Sequence, residues 1–478
     1  MSARRWLWLW VFLAAPAAAE DWPQYARNET RSAVAASAVT TDLTTPRLVI
    51  GSGLNFIGPS SPVVMKGAVF ACTRRLANTT YVCVLMAFDE ATGQFLWEYQ
   101  GDTVGADSWA SPGCDPATDT VFFTANKTLY CLAAETGAFR WQRNTDLKIV
   151  NASPCAAGGR VFITDYFYGT ATGSKLYSFD IATGDLAWSK PIGAACGATP
   201  AYSAARVYVA TRDGVVFGFN ASDGSEAWHK DFRTLGEGWE QVSFFGGVCC
   251  AHSCVYAASY DFAEAAKLVK LNAENGSVVW HTPCERTDSI PIAVGTKVFL
   301  AGGLTGFGSQ PKLQAFNDFT AAKLWETTLV GGWTLQPAYV NGYLYAGLIP
   351  PGATFQPYSQ LHVLDVTKKP TEDGFVVSSY ELAGGSPALA SSNVYSIGAG
   401  GIYAFGPRPQ GKVVPGDVSG DRCVNVCDLL IVRNCLGKQG SAIPPGVDCA
   451  PPGQPDGIVN VSDLLYVRNN LGKGYGCK

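Results

Sequence analysis

Tyr177-Ser178-Phe179-Asp180-Ile181-Ala182-Thr183-Gly184-Asp185-Leu186-Ala187-Trp188 reads as a strand, a tight turn and a second strand that closes on a tryptophan. The pattern recurs at Met86 to Trp97, Tyr130 to Trp141, Phe217 to Trp228, Val269 to Trp280 and, with one extra residue and a degraded turn, Leu313 to Trp325. In Asp-x-x-Thr-Gly the Asp or Asn side chain accepts backbone N–H groups two residues on, and the Gly supplies a positive-φ position, so the segment closes a hairpin. The tryptophan brings a large apolar body that stabilises only when buried. These tryptophans fall 40 to 52 residues apart, a period that four short strands fill and that marks a propeller.

Working outward, each repeat opens on a dipeptide ending in Pro: Ser61-Pro62, Ser111-Pro112, Ser153-Pro154, Thr199-Pro200, Ile290-Pro291, Gln336-Pro337 and Ser386-Pro387, with a cysteine-rich variant at Phe244 to Cys250. That makes eight. Second strands follow at Ala68–Ala71, Thr120–Thr124, Arg160–Thr164, Arg206–Ala210, Cys254–Ala258, Lys297–Ala301, Tyr343–Gly347 and Asn393–Ile397. Blade seven carries Leu361 to Asp365 but loses both Gly and Trp, and blade eight stops at Ile402-Tyr403-Ala404-Phe405. A blade without its last strand would leave an open edge, and Leu48 to Leu54 is the natural donor. The expected fold is therefore all-β, an eight-bladed β-propeller over 20–409 closed by an N-terminal strand.

The chain of 478 residues carries 35 basic and 39 acidic residues, net charge −4, which argues against nucleic-acid or membrane-surface binding. Residues 1–19 combine Arg4-Arg5, an apolar run from Trp6 to Ala15 and Ala17-Ala18-Ala19, and read as a secretory signal peptide too short to span a membrane. No Cys follows the cleavage site, so a lipid anchor is not expected; the protein is expected to be secreted, extracellular, at the cell surface or periplasmic. Fifteen cysteines in a secreted chain imply disulfides with one thiol left over. Cys72 and Cys83 flank a polar turn and could face each other across a hairpin, and Cys249-Cys250 form a vicinal pair.

The strand-Asp-x-x-Thr-Gly-x-x-x-Trp repeat resembles that of the pyrroloquinoline-quinone-like (PQQ-like) propeller family, and Asp21-Trp22-Pro23-Gln24-Tyr25 is similar to the start of secreted bacterial members. The resemblance covers about residues 21 to 409. It implies the fold, and leaves activity open between quinone-dependent dehydrogenases, outer-membrane assembly lipoproteins and non-catalytic binders. A PQQ-dependent dehydrogenase needs a catalytic Asp, a Glu/Asn/Asp calcium set near the axis and a Trp floor; no acid cluster with such spacing occurs between 21 and 409. PQQ and catalysis are therefore not expected, with the quinoprotein kept as the alternative. His229, His252, His281 and His362 form no metal-ligand spacing, and Asp89, Asp180 and Asp223 read as turn acids. Longer polar-aromatic loops at 165–174, 302–312 and 349–360, and the Thr234 to Phe245 segment with Trp239, Phe244 and Phe245, are expected to present aromatics to an unknown ligand or partner at a propeller face.

After a Pro- and Gly-rich linker at 410–415, residues 416–478 contain a second repeat: Asp428 to Lys438 and Asp463 to Lys473 agree at nine of eleven positions, 35 residues apart. Leu429, Leu430, Val432, Leu464, Leu465 and Val467 give each segment the apolar face of a helix, and each helix ends at a Gly. Upstream stands Asp417-x-Ser419-x-Asp421-x-Cys423-x-Asn425-x-x-Asp428, which supplies oxygens at positions 1, 3, 5, 7, 9 and 12 of an EF-hand-like calcium loop. The second copy supplies Asp456, Gly457, Asn460 and Asp463 at positions 5, 6, 9 and 12; strict spacing puts Pro452 at position 1, where Asp448 could serve if 449–453 bulge. Two such loops, each followed by one helix, resemble a type I dockerin. That resemblance implies one Ca2+ held by Asp417, Ser419, Asp421, Asn425, Asp428 and the Cys423 carbonyl, and a second by Asp448, Gln454, Asp456, Asn460, Asp463 and the Ile458 carbonyl. It also implies a cohesin-like protein partner, although Val426-Cys427 and Val461-Ser462 replace the Ser-Thr pairs common in cohesin binders, and Arg422 replaces the Gly of position 6.

Overall fold

The computed structural model describes residues 20–472 apart from 105–107, 168–172, 196, 262–264, 306–308, 350–359, 410–415, 420–423, 445–446 and 451–455. The leader at 1–19 and the linker at 410–415 lie outside the described residues. Eight four-stranded antiparallel sheets form the blades. Blades one to seven are consecutive meanders over 63–103, 113–144, 155–193, 201–231, 249–283, 292–327 and 338–380. The eighth takes three strands from 388–405 and its outermost from Leu48–Ile50, with Leu48 opposite Ala404 and Ile50 opposite Ile402. The N-terminal strand thus closes the ring as the unpaired edge at Ile402 to Phe405 requires.

Each inner strand is three residues long, and the sheets pack face to face through buried Val, Phe, Tyr and Leu side chains on both faces of the middle strands. Blade one departs from expectation in length: its middle hairpin runs over Ala68–Ala77 and Thr80–Asp89, because the ladder continues through the polar stretch to a turn where Asn78 takes φ 57°. Cys72 and Cys83 consequently sit two residues out of register, opposite Leu85 and Arg74, as buried free thiols.

Two inter-blade devices give the repeat its residues. The closing tryptophan donates its indole N–H to a turn carbonyl of the next blade: Trp97 to Ala134 (3.1 Å), Trp141 to Ile181 (2.8 Å), Trp188 to Ala221 (2.9 Å), Trp228 to Ala273 (3.0 Å) and Trp280 to Asp318 (2.7 Å). The turn glycine of that next blade lies flat on the same indole; a β-carbon at Gly137, Gly184 or Gly224 would come within 2.6 Å of it. The glycine is thus demanded twice, by a positive φ and by close approach.

The second device is a hydrogen-bonded girdle around the axis. Ser61 N donates to Ser111 Oγ (2.9 Å), Ser111 N to Ser153 Oγ (3.0 Å) and Ser153 N to Thr199 Oγ1 (3.1 Å). On the far side Ile290 N donates to Gln336 Oε1 (2.8 Å), Gln336 N to Ser386 Oγ (3.0 Å), and Ser386 Oγ–H to the Pro59 carbonyl (2.8 Å). At Ser111, Ser153, Thr199, Gln336 and Ser386 the residue before Pro is polar because its side chain caps the neighbour's amide where strands converge.

Beyond the propeller, two helices, α1 (Val426–Cys435) and α2 (Val461–Asn469), form a small unit with internal two-fold repetition. Gly437 N donates to Val459 O and Gly472 N to Val424 O, each at 2.8 Å, so each helix end is fastened to the other copy's loop. Val424, Val432, Cys435, Val447, Val459 and Val467 make its core. Leu430 and Leu465, expected on the apolar face, are 39% and 41% exposed. They lie about 200° around the helix from the buried Asp428 and Asp463.

Candidate functional site

The residues after the expected cleavage point, which composition marks only as polar, seal the turn side of the central channel. Trp22 pairs with Val64 of blade one, Pro23 O accepts from Cys114 N of blade two, and the Gln24 amide bonds both ways with Ala156 of blade three. Glu29 O, Thr30 O and Ala33 O then accept from the inner strands of blades four, five and seven, at Tyr202, Cys250 and Tyr339. Arg31 is fully buried here, donating to the carbonyls of Pro200 (2.9 Å), Pro154 (2.8 Å) and Tyr25 (2.8 Å). Burial pulls its guanidinium below the usual arginine range. Hydrogen bonds of this kind, with Glu20 O accepting from Ser391 N of blade eight, tie one segment to inner strands around the ring.

Above the plug the axis narrows to a cavity of about 20 Å³ lined by Tyr25, Trp109, Asn151, Thr199, Asp288 and Thr334. Burial pushes the Asp288 carboxyl up to about 8 and raises the Tyr25 phenol, with the Asp288 charge adding to the latter. Rings line the loop side: Trp109 stands edge-on to Trp333 at 5.6 Å, Tyr260 lies 5.3 Å from Trp333, and Phe245 4.7 Å from Tyr260. A cavity of this size holds about one water molecule. Among the described residues, this cavity is smaller than a tricyclic quinone. Cys249 and Cys250 occupy the inner strand of blade five, and burial pushes the Cys249 thiol up to about 12 and raises that of Cys250; neither is a poised thiolate.

The loop aromatics differ from expectation. Trp239 is 7% exposed and Phe244 is buried, because Phe232 stacks on Trp239 at 5.0 Å and meets Phe244 edge-on at 5.7 Å; only Phe245 is half-buried at the mouth. The tips of the other long loops, 168–172, 306–308 and 350–359, lie outside the described residues. Asp89 and Asp180 bond the turn amides, from Ala91 and Thr92 and from Ala182 and Thr183, and Asp223 accepts from Ser225. His229 and His281 lie on outer strands, beside Glu226 and Trp239. His252 bonds Asp318, which also receives Lys270 Nζ (2.9 Å) and Tyr256 OH (2.8 Å). Sequence spacing hides this last cluster, in which His252, Tyr256 and Lys270 lie 48 to 66 residues from Asp318.

In the C-terminal unit the two position-12 carboxylates are equivalent. Asp428 Oδ1 accepts from Val418 N (2.9 Å) and Ser419 N (2.8 Å), and Oδ2 from Asn425 N (2.8 Å). Asp463 Oδ1 accepts from Cys449 N (2.7 Å) and Ala450 N (2.9 Å), and Oδ2 from Asn460 N (2.8 Å). Matching the donors makes Asp448 the counterpart of Asp417, with four extra residues following it. Asp448 also accepts from Asp456 N (3.3 Å) and Gly457 N (2.7 Å), and Asn460 Nδ2 reaches Asp456 Oδ2 (3.1 Å) and the Ile458 carbonyl (3.3 Å), so four of the second set converge. In the first set Ser419 Oγ–H donates to Asp417 Oδ1 at 3.1 Å. Asn425 and Asn460 cap their helices, accepting from Cys427 N and Ser462 N. Asp421, Cys423 and Gln454 lie outside the described residues. Among the described residues no three His, Cys, Asp or Glu side chains gather as a metal cluster; what gathers is a mixed set of carboxylate, amide, hydroxyl and carbonyl groups. Nor is any described helix long and apolar enough to cross a membrane.

Residues 82–261 match the PQQ_2 family, described as outer membrane protein assembly factor BamB. The BamB of Escherichia coli K12 is 34% identical over 108 residues, 21% of this chain and 26% of that protein. The chain thus spans between about a quarter and just over a third of the length of the curated BamB relatives it matches. Among solved structures, BamB from Moraxella catarrhalis superposes with a TM-score of 0.54 at 17% identity, covering 75% of this chain and 98% of the other. A quinohemoprotein alcohol dehydrogenase of Pseudomonas putida HK5 reaches 0.59 at 12% identity, covering 87% and 85%. At such identities these likenesses carry the propeller fold and not its chemistry.

Proposed function

We propose that the protein is a non-catalytic propeller scaffold that binds a protein partner and is tethered to an extracellular or cell-surface assembly by its C-terminal calcium loops. The observation that carries the scaffold half is the narrow axis among the described residues: a plug fixed to the inner strands on one side, rings on the other and a cavity of about 20 Å³ between. The similarity to an assembly factor supports a partner-binding role. The tether reading rests on the paired oxygen sets. Asp448, Asp456, Asn460 and the Ile458 carbonyl approach one another, and a hard divalent cation takes such oxygens, six to eight at a time. Asp428 and Asp463 already accept three N–H groups each, which orients them without exhausting their lone pairs.

Calorimetric titration of the full chain with Ca2+, alongside absorbance titration with PQQ, tests this reading. Calcium uptake approaching two ions, reduced in Asp417→Ala and in Asp456→Ala, with no quinone signal, is expected. Calcium uptake indifferent to both variants, together with quinone binding and dye reduction by an alcohol, would instead establish the dehydrogenase.

A further inference from the structure

The Asp288 carboxylate lines the axial cavity, yet among the described residues no hydrogen bond or ion pair reaches it. Its Oδ1 is sealed from solvent, which leaves Oδ2 as the oxygen that faces the cavity. Arg286 attracts the carboxylate through space, its guanidinium being laid 4.0 Å over the Tyr260 ring. Burial outweighs that attraction and pushes the carboxyl up. A carboxylate held in such a place without a donor is costly unless a water or an ion meets it.

Other oxygens of the same cavity are open too. The Tyr25 and Thr334 hydroxyls line it and enter none of the hydrogen bonds among the described residues. Asn151 Oδ1 and Thr199 Oγ1 each accept one amide, from Trp109 N at 2.9 Å and from Ser153 N at 3.1 Å, and each keeps a second lone pair. The described lining thus sets one carboxylate among neutral oxygens, with no Lys, Arg or His in it.

We propose that the axial cavity holds a single monovalent cation of potassium or ammonium size, bound by Asp288 Oδ2 together with the hydroxyls of Tyr25 and Thr334. The volume of about 20 Å³ sets the size, because it admits about one water molecule and K+ and NH4+ are close to water in radius. The lone carboxylate sets the charge, since a hard divalent ion gathers six to eight oxygens and commonly several carboxylates. Trp109 and Phe245 complete the lining, and aromatic neighbours suit a weakly hydrated cation. Arg31, the buried charge of the plug, is turned to the carbonyls of Pro154, Pro200 and Tyr25. The ion joins the plug, through Tyr25, to the segments entering blades six and seven at Asp288 and Thr334, and so helps to hold the ring closed. This site is independent of the calcium loops and of the partner-binding reading, and either can fail without the other.

The test uses the full chain at about pH 8.5, where the carboxyl is ionised, with a chelator to keep the calcium loops empty. Choline chloride is replaced stepwise by KCl, NH4Cl or NaCl at constant ionic strength. A saturable rise in thermal midpoint of about 3 °C or more is expected in K+ or NH4+, with a smaller rise in Na+. The rise should vanish in Asp288→Asn and shrink in Thr334→Val, each compared with its own midpoint in choline. Thallium NMR of the parent supplies a direct readout: a bound Tl+ resonance that K+ displaces is expected. Equal midpoints in K+ and choline would mean that the cavity holds water and would overturn the proposal. So would a rise that persists in Asp288→Asn, or the lack of a Tl+ resonance displaced by K+.

Discussion

Gly137 lies against the face of Trp97 so closely that a β-carbon there would stand 2.6 Å from the indole. The same contact joins Gly184 to Trp141 and Gly224 to Trp188, so the turn of each blade is the lid on the tryptophan of the one before. Where blade six carries Ala321 at φ 62° instead of Gly, Trp280 is only partly buried.

Gly137→Ala combines a φ of +71° with that clash and should cost about 3 kcal/mol. Gly159→Ala, at φ +74° with nothing within 4 Å of its β-carbon, should cost only about 1 kcal/mol. Denaturant midpoints of the two variants measure the difference; equal losses would mean that the indole contact adds nothing.

Arg31→Ala removes the donor shared by the carbonyls of Pro154, Pro200 and Tyr25. Leaving such buried acceptors unmet should cost about 3 kcal/mol. Limited proteolysis should then cut within residues 20–36 of the variant while sparing the native chain.

The pH dependence of stability has a definite sign on the channel axis. The Asp288 carboxyl titrates at about 8 in the fold against 3.8 as an ordinary carboxylate, and Asp261 shifts the same way, to about 6. Between these limits the folded state binds more protons than the unfolded one, so their contribution falls as pH rises from about 4 to about 8. Thermal melts of Asp288→Asn should show a flatter dependence over that window and a higher midpoint than the parent at its upper end.

Asp428→Ala deprives Val418, Ser419 and Asn425 of their acceptor and undoes a helix cap, whether or not a metal is bound. The loss should be about 3 kcal/mol, read as faster hydrogen exchange at those three amides in chelator. Exchange unchanged in chelator would mean that the carboxylate acts through calcium alone.

The hairpins, the count of eight and the closing strand were all legible in the sequence, because each depends on residues close together: Asp180 to Gly184 make their own turn, and the truncation at Phe405 exposes an edge that only Leu48 to Ile50 can fill. So was the duplication that sets Asp428 against Asp463. The second reason for the glycine, the girdle of Ser111, Ser153 and Thr199 and the Arg31 plug were decided by tertiary structure alone. Each joins groups far apart in the chain, up to 169 residues for Arg31 and Pro200, or is a burial that forms only when neighbouring blades converge. A local pattern fixes backbone conformation within a turn; which side chain loses water, and whose carbonyl it meets, is set by the closure of the ring.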